Sequence, residues 1–268
     1  MKKVIVTGAA GGIGSEVVSS LVKNGYFVYA LDIKEIKESD NVKSFVCDLT
    51  KEEEIRKVHE QIKGENVDSI IHLGGTYYMD SLIEIGEEKL KQIFNINFFS
   101  VFLVNKVFVD LLASGSKIII ISSELAPLDP LPFNGIYSLT KNTLENYALS
   151  LRQELNLLDI QVVIVRPGAI NTGLLDVSIQ NVERIEKETT LYKENAKLFK
   201  KIVQNNESKT VEPIKIAELL TKIVGKKKPR LLYTINLNPK LKLLSILPDR
   251  LQLAIIKKMI TPKDSNES

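Results

Sequence analysis

The stretch Thr7-Gly8-Ala9-Ala10-Gly11-Gly12-Ile13-Gly14 decides the fold. It follows a β-branched run, Val4–Thr7, and leads into Ile13–Asn24, whose apolar residues recur at helical spacing. A strand that turns at once into a helix needs residues that tolerate a tight bend, and Gly8, Gly12 and Gly14 supply them. The same turn lets backbone N–H groups approach a pyrophosphate, and the helix offers that anion the positive end of its dipole. The spacing is TGxxxGxG rather than GxGxxG, so the strand-to-helix context carries the reading more than the glycine count does. Asp32 ends the next apolar run, Phe27–Leu31, about 20 residues on, where an acid is expected to hold the ribose hydroxyls of an adenosine. A carboxylate there repels a 2′-phosphate. No Arg or Lys stands at Gly11 or Ile33, so the expected cofactor is NAD rather than NADP. Asp48, after Ser44–Cys47, is expected either to reach the adenine ring or to cap the helix that begins near residue 51.

Outward from this turn, short apolar runs alternate with longer amphipathic stretches. Strands are predicted at Val4–Thr7, Phe27–Leu31, Ser44–Cys47, Ile70–Leu73, Lys117–Ser122 and Gln161–Arg166. Helices are predicted at Ile13–Asn24, Glu52–Lys63, Glu87–Ala113, Tyr137–Asn156 and Glu212–Val224. Strands that are apolar throughout suit a parallel sheet covered on both faces. The alternation predicts an α/β protein, a Rossmann-type doubly wound parallel sheet in a single domain over residues 1–235. Residues 173–209 are polar and weakly periodic, and are expected to lie over the substrate at the C-terminal end of the sheet. Residues 236–268 form an apolar, helical C-terminal appendage, which Pro248 should break into two pieces.

The bulk numbers exclude several classes. A chain of 268 residues with 44% hydrophobic residues can bury a full core, and its net charge of +3 is spread rather than focused as in a nucleic-acid binder. Cys47 is the only cysteine, so no internal disulfide forms, and it is expected to be buried. No metal site is expected. No window approaches 18 uncharged apolar residues, so no transmembrane span is expected, and the apolar run at the start is too short for a signal peptide. The expectation is a soluble, cytoplasmic protein.

The segment Gly135-Ile136-Tyr137-Ser138-Leu139-Thr140-Lys141 places a tyrosine and a lysine on one helical face. An ammonium beside a phenol should lower its pKa below the usual value of about 10 and make it a usable acid or base. Together with TGAAGGIG, Asp32, the pair Ser122-Ser123 after KIIII, and Arg166-Pro167-Gly168-Ala169-Ile170-Asn171-Thr172, this resembles a short-chain dehydrogenase/reductase over residues 2 to about 175. The resemblance implies roles. Tyr137 would exchange a proton with the substrate oxygen, Lys141 would lower its pKa and hold the nicotinamide ribose, and Ser123 would hydrogen-bond the substrate oxygen. Asn97 would support a proton-relay water beside the lysine. Cofactor contacts are implied at Gly8, Gly12, Ile13, Gly14, Asp32, Asp48, Leu49 and Gly74. They continue at Tyr137, Lys141, Pro167, Gly168, Ile170 and Thr172, the last two at the carboxamide.

Two departures from the family pattern stand out. The usual NNAG after the fourth strand is His72-Leu73-Gly74-Gly75, so His72 takes the place of an asparagine that steadies the sheet. The His-Leu pair resembles a longer, nucleotide-sugar-modifying branch, which needs a large C-terminal domain that this chain has little room for. The spacing from Ser123 to Tyr137 is one residue longer than the family's, which leaves Ser122 as an alternative to Ser123. The tail, with Pro229-Arg230-Leu231-Leu232-Tyr233 and a later Leu-Pro-Asp-Arg turn, resembles family members acting on retinol, hydroxysteroids and other lipophilic alcohols. The expected activity is NAD(H)-dependent interconversion of a lipophilic secondary alcohol and its ketone. The alternatives are a 3-oxoacyl-carrier reductase and, in another class, a non-catalytic dinucleotide-binding sensor or scaffold. The resemblance implies a homodimer or homotetramer, and the tail leaves peripheral membrane contact open.

Overall fold

The computed structural model describes residues 1–128, 131–172, 174–205 and 209–262. Seven parallel strands form one sheet in the order β3-β2-β1-β4-β5-β6-β7. They are β1 (Lys3–Thr7), β2 (Phe27–Asp32), β3 (Val42–Val46), β4 (Val67–His72), β5 (Leu112–Ile121), β6 (Gln161–Pro167) and β7 (Leu232–Ile235). The strand order reverses between β1 and β4, whose register runs from Val4↔Ser69 to Thr7↔His72. Ligands of doubly wound sheets bind in the crevice beyond such a reversal.

Period-2 alternation sends side chains to two cores. Val4, Val6, Ile119 and Ile121 pack toward α1 (Gly12–Lys23) and α8 (Pro213–Gly225), against Val17, Leu21, Ile216 and Leu220. Ile5, Ile118 and Ile120 pack toward α2 (Glu52–Gln61), α4 (Ser100–Phe108) and α5 (Gly135–Leu155), against Ile55, Val104, Phe108 and Leu144. Fully burying each such side chain stabilises the fold by about 1.5–3 kcal/mol, which is why Val4–Val6 of the central strand β1, Ile70–Ile71 of β4 and the paired stretch Ile118–Ile121 of β5 are apolar on both faces. Cys47 is buried in the second of these cores.

The helix predicted at 87–113 is interrupted and ends earlier. It runs as α3 (Glu87–Phe94), a π turn over Asn95–Phe99, and α4, and closes in a tight turn at Val109–Leu111. β5 therefore begins at Leu112, with an irregularity against β4 between Val67 and Ser69 before regular pairing from Lys117. By length and composition, Glu87–Leu111 is long and apolar enough to cross a membrane, yet its inner face is core. Its outer face carries Phe99 and Phe102, which raise its apolarity and remain exposed in the protomer.

Residues 174–205 are more ordered than their weak periodicity predicts. They form a hairpin of α6 (Leu174–Glu188) and α7 (Lys193–Asn205). Val182, Ile185, Ala196 and Phe199 build a third small core on Met79 and Phe133. Arg184 pins this hairpin to the loop after β4, donating to Asp80 Oδ2 at 3.1 Å and Met79 O at 2.5 Å. The tail breaks at Pro248 as predicted, into α9 (Pro239–Ser245) and α10 (Asp249–Ile260). Gly173 and residues 206–208 of the predicted cover, and residues 263–268 of the tail, lie outside the described residues.

Candidate active site

The crevice between β1 and β4 opens into a cavity of about 750 Å³ lined by Gly8, Ala10, Gly11, Asp32, Asp48, Leu49 and Gly74. Its floor requires glycine: Gly8 has φ +66°, and a Cβ there would fall 2.5 Å from Gly74 N. The N-terminus of α1 has no side-chain cap and no acid in its first turn, so its backbone donors are left for an anion. Asp32 accepts from Ala10 N at 3.0 Å and Lys34 N at 3.1 Å, which fixes its carboxylate in this cavity. These features fit the adenosine and pyrophosphate of a dinucleotide. Asp48 meets one of its two expectations. It lines the cavity, and its Oδ1 accepts from Thr50 N at 3.0 Å and Thr50 Oγ1 at 2.7 Å. It does not cap α2, whose N-cap is Lys51. Gly12 and Gly14 line neither this cavity nor the next. Gly14 is buried inside the turn, where a Cβ would collide with Gly8 O, and its role is to shape the turn. Ala10 and Gly11 line the cavity instead, and nothing in their local spacing separates them from their neighbours.

A second cavity of about 410 Å³ adjoins the first at Leu73 and Gly75. Ile13, Ser123, Tyr137, Lys141, Pro167, Gly168, Ile170 and Thr172 line it. Strand β5 ends just before Ser122-Ser123, and α5 presents Tyr137 and Lys141 one turn apart. Ser123 and Tyr137 share one wall of this cavity, and Ser123 acts to lower the pKa of the phenol. Ser122 Oγ is buried and has no partner among the described residues. Beyond it, Leu125 N donates to Ser123 Oγ at 3.2 Å. Lys141 Nζ lies 5.8 Å from the Tyr137 ring centroid and donates to Ile121 O at 3.0 Å.

The expected depression of the Tyr137 pKa is corrected by its surroundings. Burial pushes the phenol up to about 12, against the opposing effect of Ser123. The ionised phenolate loses more hydration than the nearby donors return. Burial likewise pushes Lys141 down to about 8, while the Glu145 carboxylate pulls it back up. Glu145 is itself held by a two-pronged bond from Arg166, at 2.7 and 2.6 Å, which ties α5 to the end of β6.

Asn97 sits in the π turn, fully buried. Its Oδ1 accepts from Thr76 N at 2.7 Å, and its Nδ2 donates to Thr76 O at 2.9 Å and Thr140 Oγ1 at 3.1 Å. The side chain thus clamps the loop after β4 against α5 at Thr140, the residue before Lys141. His72 lies apart from this group. Its Nε2 bonds Asn105 Oδ1 at 2.8 Å, and Asn105 Nδ2 donates to Tyr147 OH at 3.2 Å, so β4, α4 and α5 are linked through one buried chain. Burial pushes His72 down to about 4.

Three neighbours were not anticipated. Tyr77 packs edge-on against Tyr137 at 4.8 Å between ring centroids and donates to Asn134 Oδ1 at 2.6 Å. Glu124 follows Ser123, lines the cavity, and accepts from Asn238 N at 2.6 Å, which ties the tail to the end of β5. Adjacency to the serine pair was the one available signal for Glu124. Tyr77 and Asn134 had none, because the two loops meet only in the fold.

The short chain dehydrogenase family profile matches residues 2–183. A 3-ketodihydrosphingosine reductase of Bacteroides thetaiotaomicron is 30% identical over 84% of this chain and 84% of its own. An NADPH-dependent 1-acyldihydroxyacetone phosphate reductase of Saccharomyces cerevisiae is 26% identical over 71% of this chain and 66% of its own. A short-chain dehydrogenase family structure from Francisella tularensis superposes with a TM-score of 0.73 at 25% identity, covering 88% of this chain and 97% of its own.

Proposed function

The chain belongs to the short-chain dehydrogenases, and from that premise we propose that it is an NAD(H)-dependent oxidoreductase interconverting a lipophilic secondary alcohol and its ketone. One observation carries the reading: Ser123 and the Tyr137 phenol line the same apolar cavity, with the Lys141 ammonium 5.8 Å from the centre of the ring. A carbonyl oxygen placed against both hydroxyls meets two donors. The nicotinamide, when bound, supplies the hydride. Ser123 stabilises the charge that develops on the oxygen, and Tyr137 delivers the proton. Lys141 offsets the phenolate left behind. A phenol pushed up to about 12 keeps its proton at neutral pH, which suits delivery of a proton more than its removal. Lys141, the backbone at Ile170, and Thr172 would hold the nicotinamide riboside. Asp32 would hold the adenosine ribose.

The NAD preference rests on the Asp32 carboxylate inside the adenosine cavity, where it opposes a 2′-phosphate. The yeast relative named for NADPH dependence makes this the assignment most in need of measurement. The relatives named for ketodihydrosphingosine and acyldihydroxyacetone phosphate support a lipophilic substrate. Phe99, Phe102 and Leu149 form an exposed apolar face across α4 and α5, a surface suited to a second copy of the chain. The outer face of α9 and α10 exposes Leu243, Ile246 and Leu253 beside Lys242, Lys257 and Lys258, a pattern suited to transient contact with an anionic bilayer.

The test is oxidation of NADH against a panel of lipophilic ketones by the wild type and Tyr137→Phe. The variant should bind NADH as the wild type does and lose at least roughly a hundredfold in kcat. Near wild-type turnover by the variant removes Tyr137 from the chemistry. Binding of NADH by the wild type with no turnover of any ketone favours the sensor.

A further inference from the structure

An apolar groove of about 590 Å³ runs between α7, α9 and α10. Leu198, Leu244, Ile256 and Met259 line it, and the polar side chains among its lining residues are Lys201, Asn238 and Lys240. It meets the catalytic cavity along a common rim of Leu131, Phe199, Ile202, Asn238 and Leu241. Its walls are anchored with respect to the reacting groups. Asn238, at the start of α9, is held by Glu124, the residue after Ser123. The end of α10 is held to α7 by Asn195 Nδ2, which donates to Ile260 O at 2.7 Å. An apolar surface of this kind, continuous with a catalytic pocket and with no carboxylate among the described residues that line it, calls for an apolar occupant.

The shared rim selects the shape of that occupant. A fused-ring ketone is rigid and as broad as the pocket it fills, so it cannot bend past five side chains into a second cavity. A single alkyl chain is narrow and turns at every bond. Lys201 and Lys240 lay their aliphatic stems along such a chain and keep their ammonium groups in water.

Resting on the oxidoreductase reading above, we propose that the substrate carries its ketone or secondary alcohol on one long, unbranched alkyl chain. The oxygen-bearing carbon lies at Ser123 and Tyr137, and the distal methylenes occupy the groove between α7, α9 and α10.

The experiment is a series of straight-chain methyl ketones of increasing length, with a rigid steroid ketone for comparison, reduced with NADH. Over the lengths that enter the groove, kcat/KM should rise roughly fourfold per methylene, the factor equivalent to about 0.8 kcal/mol, and then level off. Leu244→Glu places a carboxylate in the groove and should abolish the rise. It should leave kcat/KM for the shortest reactive ketone within about twofold of wild type, because Leu244 lines the groove but neither the cofactor cavity nor the catalytic cavity. An unchanged Kd for NADH shows that the variant is folded, and Ile256→Gln is the milder second variant. Wild-type turnover with no dependence on chain length, an equal rise in both variants, or a steroid ketone preferred over every chain overturns the groove assignment while the chemistry at Tyr137 stands. No turnover of any ketone by the wild type overturns both.

Discussion

His72→Asn should remove a specific acid sensitivity from this fold. In the sheet, His72 is 2% exposed and pairs with Thr7 and Ile120 on either side. Because Asn105 Oδ1 can only accept, His72 Nε2 carries the ring proton, and Nδ1 is left with no partner among the described residues. A second proton on the ring would add a charge with no acceptor beside it, which is why burial pushes the group from 6.5 to about 4. The unfolded chain binds that proton near pH 6.5 and the folded chain only near pH 4. Stability is therefore full above 6.5 and is lost as pH falls through the folded value. The linkage amounts to about 2 kcal/mol by pH 5 and about 3 kcal/mol by pH 4. Urea unfolding of wild type and His72→Asn at a series of pH values isolates this term. The substitution shifts the variant's stability by a constant, whereas the histidine's contribution appears only as slope. The variant should lose less stability between pH 6.5 and 5 by about 2 kcal/mol. Parallel curves for the two proteins over that window would falsify the account of a neutral, half-satisfied imidazole.

Asp32→Ala should erase the preference for NADH over NADPH in kcat/KM; a wild type that already prefers NADPH overturns the cofactor assignment and revives the acyl-reductase alternative. Lys141 keeps its proton only up to about pH 8, so kcat for ketone reduction should fall as pH rises through that value. Glu145 raises the lysine's pKa, so Glu145→Gln should move the falling limb to lower pH, and a limb that stays put or moves up refutes the coupling. Gly168→Ala puts a Cβ into the carbonyl of Asn236, where β6 gives way to the loop beside the tail. It should cost more than about 2 kcal/mol in chemical unfolding, and a neutral result would mean the tail yields there.

Six of the seven strands were legible because short apolar runs, β-branched at Val4–Thr7, Ile118–Ile121 and Val162–Val165, alternate with amphipathic helices, whereas β7 (LYTI) is short and lies at the edge of the sheet. The Gly8 turn and Asp32 were legible from their place at strand ends, and Tyr137 with Lys141 from their four-residue spacing; Ser123 came from the family resemblance, which left Ser122 as the alternative. Three features were not. The π turn at Asn95–Phe99 leaves no local mark, since one surplus residue is hidden in any helical pattern. The α6–α7 hairpin was read as weakly periodic because its apolar residues serve a small core, with Met79 and Phe133 contributed from distant loops. The Tyr137 pKa was misjudged because the chain shows the lysine four residues away but not the burial around both, and burial is the larger effect.

The π turn has a geometric consequence for the whole rod from Glu87 to Phe108. A π turn holds one residue more than the same rise of α-helix. Drawn as regular α-helix with every residue kept, the segment would carry everything beyond Phe99 round by about 100° relative to what precedes Asn95. Asn97 could then keep its clamp on Thr76, or Val104 and Phe108 could keep their seats beneath the sheet, but one straight helix cannot do both. The surplus residue acts as a phase shifter. It reconciles two faces, one committed to the loop beside Lys141 and one to the core, whose angular settings no regular α-helix satisfies together.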